Sequence, residues 1–122
     1  MGDSHLEWIN ALRNYLVEQI GRQTDIFYYR DSKLDEGATG HANYMKELGI
    51  QDIHAPESFL NGAKEVVGGE WAESNFHELM NNIAGKFMDK GGHENSLRFG
   101  NRIGVGVATS GNRVYICVRV SR

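Results

Sequence analysis

Two histidines, His54 and His93, and one glutamate, Glu65, are the residues of this chain with the most chemistry to offer. Two neutral imidazoles and a carboxylate suffice to hold Zn²⁺ with one position left open for water. When protonated, the same groups bind an anion or hydrogen-bond a ligand. The histidines lie far apart in sequence, so a shared site has to be built by the fold, unlike an H-E-x-x-H pair on one helix. The candidate carboxylates are Glu65, then Glu78, Asp89 and Glu94. The competing interpretation is two surface histidines with no common task.

His93 follows Gly91 and Gly92 in the stretch GGHENSLRFGNRIGVGV. An imidazole just past a helix stop is held by backbone and can be aimed into a cleft. His41 falls in the middle of an apolar helical stripe, which suits either a hydrogen-bonded core histidine or a group facing a pocket. Other nucleophiles are poorly placed. Cys117 sits in an apolar run without a basic neighbour to lower its pKa, as a buried structural thiol does. Ser58, Ser74 and Ser96 lack a G-x-S-x-G context.

The elements that must position these groups follow from periodicity. Leu6–Ile20 repeats Ile9, Leu12, Leu16 and Ile20 at helical spacing before Gly21, predicting an amphipathic helix. Asp25–Arg30 holds a short aromatic run, read as an extended connector or a short edge strand. Ser32 and Asp35 resemble a capping box, followed by Leu34, Ala38, Ala42, Met45 and Leu48 on one face and Gly49 as the stop. Gly49–Gly69 has little periodicity and the single proline, Pro56, predicting an ordered loop with one short turn that carries His54 and Glu65. Ser74 caps a third predicted helix, with Phe76, Leu79, Met80, Ile83 and Phe87 on one face and Gly91 as its stop.

The period then changes to two. Ile103, Val105 and Val107 alternate with Gly104, Gly106 and Ala108, and Val114, Ile116, Val118 and Val120 alternate with Tyr115, Cys117 and Arg119. Turn residues Ser110, Gly111 and Asn112 join the two runs as an antiparallel hairpin. The glycine face lets a helix or an opposing layer approach closely. Helices first and a terminal hairpin predict an α+β layered domain, with helices packed on a small sheet.

Composition bounds the rest. The 122 residues, 40% hydrophobic and 24% charged, fit one domain over 1–122, with Met1–His5 as a polar linker remnant. A net charge of −3 without a basic face argues against nucleic acid and for a small-molecule, ion or protein partner. No run approaches the ~20 apolar residues of a transmembrane segment, and no signal peptide is evident. A single cysteine allows no internal disulfide.

Several ordered pieces resemble the CAP (SCP-like, cysteine-rich secretory protein) superfamily, in particular its short bacterial branch without disulfides. LEWINALR, with Ile9, Asn10 and Arg13, is similar to the opening I-N-x-x-R helix. Leu34, Ala38, His41, Ala42 and Met45 resemble an L-x-x-x-A-x-x-H-A-x-x-M helix that precedes a first cavity histidine, here His54. Glu65 in AKEVVGG takes the place of the glutamate in G-E-N-[IL]. GGHENSL with IGVGVA resembles the S-x-G-H-x-x-x-[IL] segment and its following strand, the most specific match.

The resemblance implies a three-layer α-β-α sandwich with a small, mostly antiparallel sheet flanked by helices. Its solvent-open cavity would be lined by His54, Glu65, His93 and His41. It further implies a secreted or cell-surface ligand-binding module for a lipid, peptide or wall-derived ligand, with zinc or another divalent cation weakly held by His54 and His93. A metal-dependent hydrolase of peptide or ester bonds, using the same cavity, is the alternative. The chain departs from the pattern: Lys64 and Val66 flank Glu65, Phe87 replaces tryptophan, and Lys90 stands where eukaryotic members carry a second cavity glutamate. Fewer acidic ligands mean weaker metal binding, which favours a binding module over an enzyme.

Overall fold

The computed structural model describes residues 2–51, 53–71, 93–111 and 113–122, and the side chains of 7–51, 53–69, 95–111 and 113–122. In chain order the elements are helix α1 (Gly2–Thr24), strand β1 (Tyr29–Arg30), helix α2 (Ser32–Leu48), a 3₁₀ turn (Glu57–Phe59), strand β2 (Lys64–Trp71), a short helix α3 (His93–Leu97), and strands β3 (Arg102–Ser110) and β4 (Arg113–Ser121). The third predicted helix, from Ser74 to Gly91, lies outside the described residues.

The four strands form one sheet in the order β1-β3-β4-β2. β3 and β4 pair antiparallel as the alternation predicts, turning at Gly111 with a left-handed φ of 59°. β1 adds two residues in parallel to β3, the edge strand expected near Asp25–Arg30. β2 corrects the sequence reading: Lys64–Trp71 belongs to the sheet, paired antiparallel to β4, and the loop of Gly49–Gly69 ends at Ala63. Its residues Glu65, Val66, Val67 and Gly68 are all buried. A strand covered on both faces has no polar side to alternate with, so period-two reading passes over it.

Helices cover both faces, giving an α-β-α sandwich. One face of the sheet joins Val66, Val105, Val107, Ile116 and Val118 with Leu12, Leu16 and Ile20 of α1 and Leu97 of α3. On the other, Val67, Ala108, Tyr115 and Cys117 meet Ala38, Ala42 and Met45 of α2. α2 comes unusually near because β3 carries glycine opposite it. A Cβ on Gly104 would lie 2.1 Å from the Leu34 carbonyl carbon, and one on Gly106 would lie 2.2 Å from that of Ala38.

The helix ends also differ from the sequence expectation. α1 continues past Gly21 and stops where Thr24 Oγ1 donates back to the Ile20 carbonyl (2.7 Å) and Asp25 turns left-handed. The N-cap of α2 is Asp31, whose carboxylate accepts from the Lys33 and Leu34 amides, and Ser32 is already helical. Asp35 is thereby released from capping. It accepts the Val105 amide at 2.9 Å and pairs with Arg13 at 3.2 Å, while Arg13 Nε donates to the Val105 carbonyl. Beyond β1 these two side chains satisfy the backbone of β3, which would otherwise be an open edge. Gly49 ends α2 in the left-handed conformation, as predicted.

Candidate functional site

Glu65 stands at the centre of the site. It lies on β2 directly opposite Arg119 on β4 and points to the α2 side of the sheet. Its side chain is 1% exposed, and both oxygens are engaged. Oε2 accepts from Arg119 Nε at 3.0 Å and lies 3.5 Å from the Cys117 thiol. Oε1 accepts from the Ala55 amide at 2.8 Å and from Nδ1 of His54 at 3.2 Å. Burial pushes the Glu65 pKa up. The Ala55 amide, the His41 imidazole and the Arg119 guanidinium outweigh it and hold the carboxyl below the ordinary glutamate value.

His41 supplies the second anchor of the same loop. From the buried face of α2 its Nε2 donates to the Ile53 carbonyl at 2.6 Å and lies 3.9 Å from Glu65 Oε1. His41 is a buried, hydrogen-bonded ring that also forms part of the cleft wall. Ile53, His54 and Ala55 are thus fixed in succession by two buried side chains from α2 and β2. Pro56 follows, restricting Ala55 to extended backbone. A segment without helix or strand is ordered by side-chain bonds to its own backbone.

The consequence falls on His54. Its Nδ1 is taken by Glu65, so among the described residues Nε2 is the ring nitrogen left without a partner, on a side chain that is 59% exposed. A carboxylate that accepts one imidazole N–H fixes the tautomer and turns the other nitrogen outward, as in the outer shell of many metal and proton-transfer sites. Two recesses meet at this ring. A cleft of about 560 Å³ runs between α2 and the 53–59 segment, with Tyr44, Ile53, Pro56 and Phe59 as walls and Arg119 at its base. A recess of about 410 Å³ on the other side is bounded by Leu60, Lys64 and Ser96 of α3.

The residues named from sequence are thus placed unevenly. His41, His54 and Glu65 converge. His93 is the first residue of α3; the helix expected before it and its own side chain lie outside the described residues. Glu78 and Asp89, proposed as alternative carboxylates, and the Glu94 side chain lie outside them too. Cys117 is buried, and burial with the Glu65 carboxylate alongside pushes its thiol well above the ordinary value, so it is no nucleophile. Among the described residues no three His, Cys, Asp or Glu side chains gather as metal ligands. Glu65 already accepts four groups, so it orients His54 and is not placed to coordinate an ion.

Arg119 is the residue that sequence reasoning missed. Periodicity puts it on one face of an alternating strand, and that face lies beneath α2. A signal was present: an arginine amid Val114–Val120, where every residue is buried, needs a buried acid, and Glu65 is the one that faces it.

No family model matches the sequence, and no curated protein matches it. Among solved structures, that of BmVAL-1, a venom allergen-like protein of the CAP superfamily, superposes with a TM-score of 0.58 at 14% identity, covering 94% of this chain and 74% of that one. At that identity the likeness speaks for architecture alone, and the architecture of this chain is a CAP-like fold.

Proposed function

We propose that this CAP-like module binds a ligand in the cleft between α2 and the 53–59 segment, with His54 as its polar contact. The observation that carries the reading is the division of labour within one network. Buried Glu65 and His41 spend their hydrogen bonds fixing the loop, and the exposed His54 keeps Nε2 open at the rim of an apolar-walled cleft. Concave apolar walls with a few convergent polar groups are the common form of a small-ligand site. Phe59 is 68% exposed and Tyr44 49%, so apolar surface is held ready at the mouth.

A secreted or cell-surface location is part of the same proposal, and no described helix is long and apolar enough to cross a membrane. Zinc enters the proposal through Nε2 of His54 with His93. The described residues supply one such nitrogen, and a site of two would hold zinc more weakly than a site of three or four ligands. The hydrolase alternative loses its base, because Glu65 is committed to Ala55, His54 and Arg119.

A fragment mixture titrated into the ¹⁵N-labelled protein tests the reading. Amide shifts are expected to move at Gly40, His41 and Ile53–Phe59, and the response at these positions should fall in His54→Ala for polar fragments. Shifts gathered instead around the separate recess between α1 and α2 that Asn10, Arg13, Asn43 and Lys46 line, with the cleft unmoved, would contradict it.

A further inference from the structure

Arg119 is only 8% exposed, yet one N–H of its guanidinium is enough for Glu65. An arginine carries five N–H donors, and Nε alone bonds the carboxylate. Among the described residues no carboxylate or carbonyl accepts from its Nη atoms, and neither Nη is a fully enclosed atom without a partner. Arg119 lines the cleft, and its Nη1 lies against Gly37, which lines the cleft as well, so this end of the guanidinium faces it.

Helix α2 is shaped around that arrangement. Gly37, Gly40, His41 and Tyr44 share one helical face at i, i+3, i+4 and i+7, and all four line the cleft. A Cβ on Gly37 would come within 2.4 Å of Arg119 Nη1, so glycine there is what lets the guanidinium lie under the helix. Gly40 has no such neighbour, since a Cβ at that position meets nothing within 4 Å. Glycine inside a helix is unfavourable relative to alanine, and here it leaves the cleft floor open.

We infer that the cleft takes a small organic monocarboxylate with an apolar body, its carboxylate on the Arg119 Nη atoms and its body between Tyr44 and Phe59. The inference rests on the proposed reading of the cleft as a ligand site. A carboxylate matches the planar fork of a guanidinium with two parallel hydrogen bonds. A phosphate monoester would bring up to two negative charges beside the buried Glu65, against a single arginine already sharing its charge. The apolar walls favour a hydrocarbon or aromatic body over a sugar, and the volume of about 560 Å³ suits a drug-sized molecule.

The test titrates 3-phenylpropionate, octanoate and indole-3-acetate, each beside its uncharged amide, into the full chain and into Gly40→Leu and Arg119→Lys, read by ¹H–¹⁵N NMR. At least one acid is expected to shift Gly40 and Ile53–Phe59, with its amide at least tenfold weaker. Gly40→Leu, which fills open space on a helix, should weaken the acid at least tenfold without lowering Tm. Arg119→Lys should lose the preference for acid over amide. Equal binding of acid and amide in the cleft would overturn the carboxylate assignment while leaving the ligand site standing. Acid binding that Gly40→Leu does not change would overturn both, and no binding by any of the acids would overturn the inference. Because Gly40→Leu and the amides leave the Arg119–Glu65 pair intact, the outcome does not hang on whether Arg119→Lys folds.

Discussion

Replacing Glu65 with alanine is expected to cost about 3–5 kcal/mol of folding stability, the usual result of leaving a buried charge without its partner. The variant strands the Arg119 guanidinium 8% exposed under α2, removes the acceptor of the Ala55 amide and frees His54. For a domain of this size that corresponds to a fall in Tm of roughly 10–20 °C. Urea denaturation at neutral pH measures it, and a loss below about 1 kcal/mol would mean that water replaces the carboxylate.

The loss has a pH signature. Because the folded state holds Glu65 below its unfolded pKa, its contribution is complete above the ordinary glutamate range of about 4.3. It disappears as pH falls through that range towards the depressed folded value. The stability gap between wild type and Glu65→Ala should therefore narrow in acid. Combining Glu65→Leu with Arg119→Met should regain much of the stability, since a buried pair exchanged for apolar groups is often neutral or better. The double variant should still lose ordered His54, separating the stability of the core from the geometry of the cleft.

The second large effect comes from a single methyl. Gly106→Ala is expected to destabilise by about 3 kcal/mol, at the upper end of overpacking costs. The added Cβ would lie 2.2 Å from the Ala38 carbonyl carbon and 2.3 Å from its oxygen, backbone atoms with no rotamer to change. α2 has to lift from the sheet, carrying the cleft wall with it, and Gly104→Ala should act alike against Leu34 and Asp35. The same substitution at Gly40 should instead stabilise by up to about 1 kcal/mol, because the helix gains propensity and the methyl meets nothing. Thermal melts of the three variants decide this, and equal effects at positions 40 and 106 would refute the close approach of α2.

These contrasts show which parts of the molecule could be read from its sequence. The terminal hairpin and the purpose of Gly104 and Gly106 were legible because a strand with one small face repeats every two residues. Helix α2 was legible from its stripe and Gly49, although Asp31 took the cap and Asp35 went to β3. β2 was not, because Glu65, Val66, Val67 and Gly68 are buried whichever way they face. Of the site, the resemblance pointed to His41, His54 and Glu65, which the fold brings together. What it did not convey was that Glu65 is consumed by Arg119 and Ala55. That depends on the register of β2 against β4, a long-range pairing that neither strand announces alone.

Everything proposed for the cleft depends on Glu65 holding His54 with Nε2 turned outward. The most direct measurement is the pair of ¹⁵N imidazole shifts of His54 at a pH where the ring is neutral. The expected result is the Nδ1–H tautomer with a bare Nε2, and loss of that preference in Glu65→Ala. An Nε2–H tautomer in the wild-type protein, or a tautomer indifferent to Glu65, would contradict it.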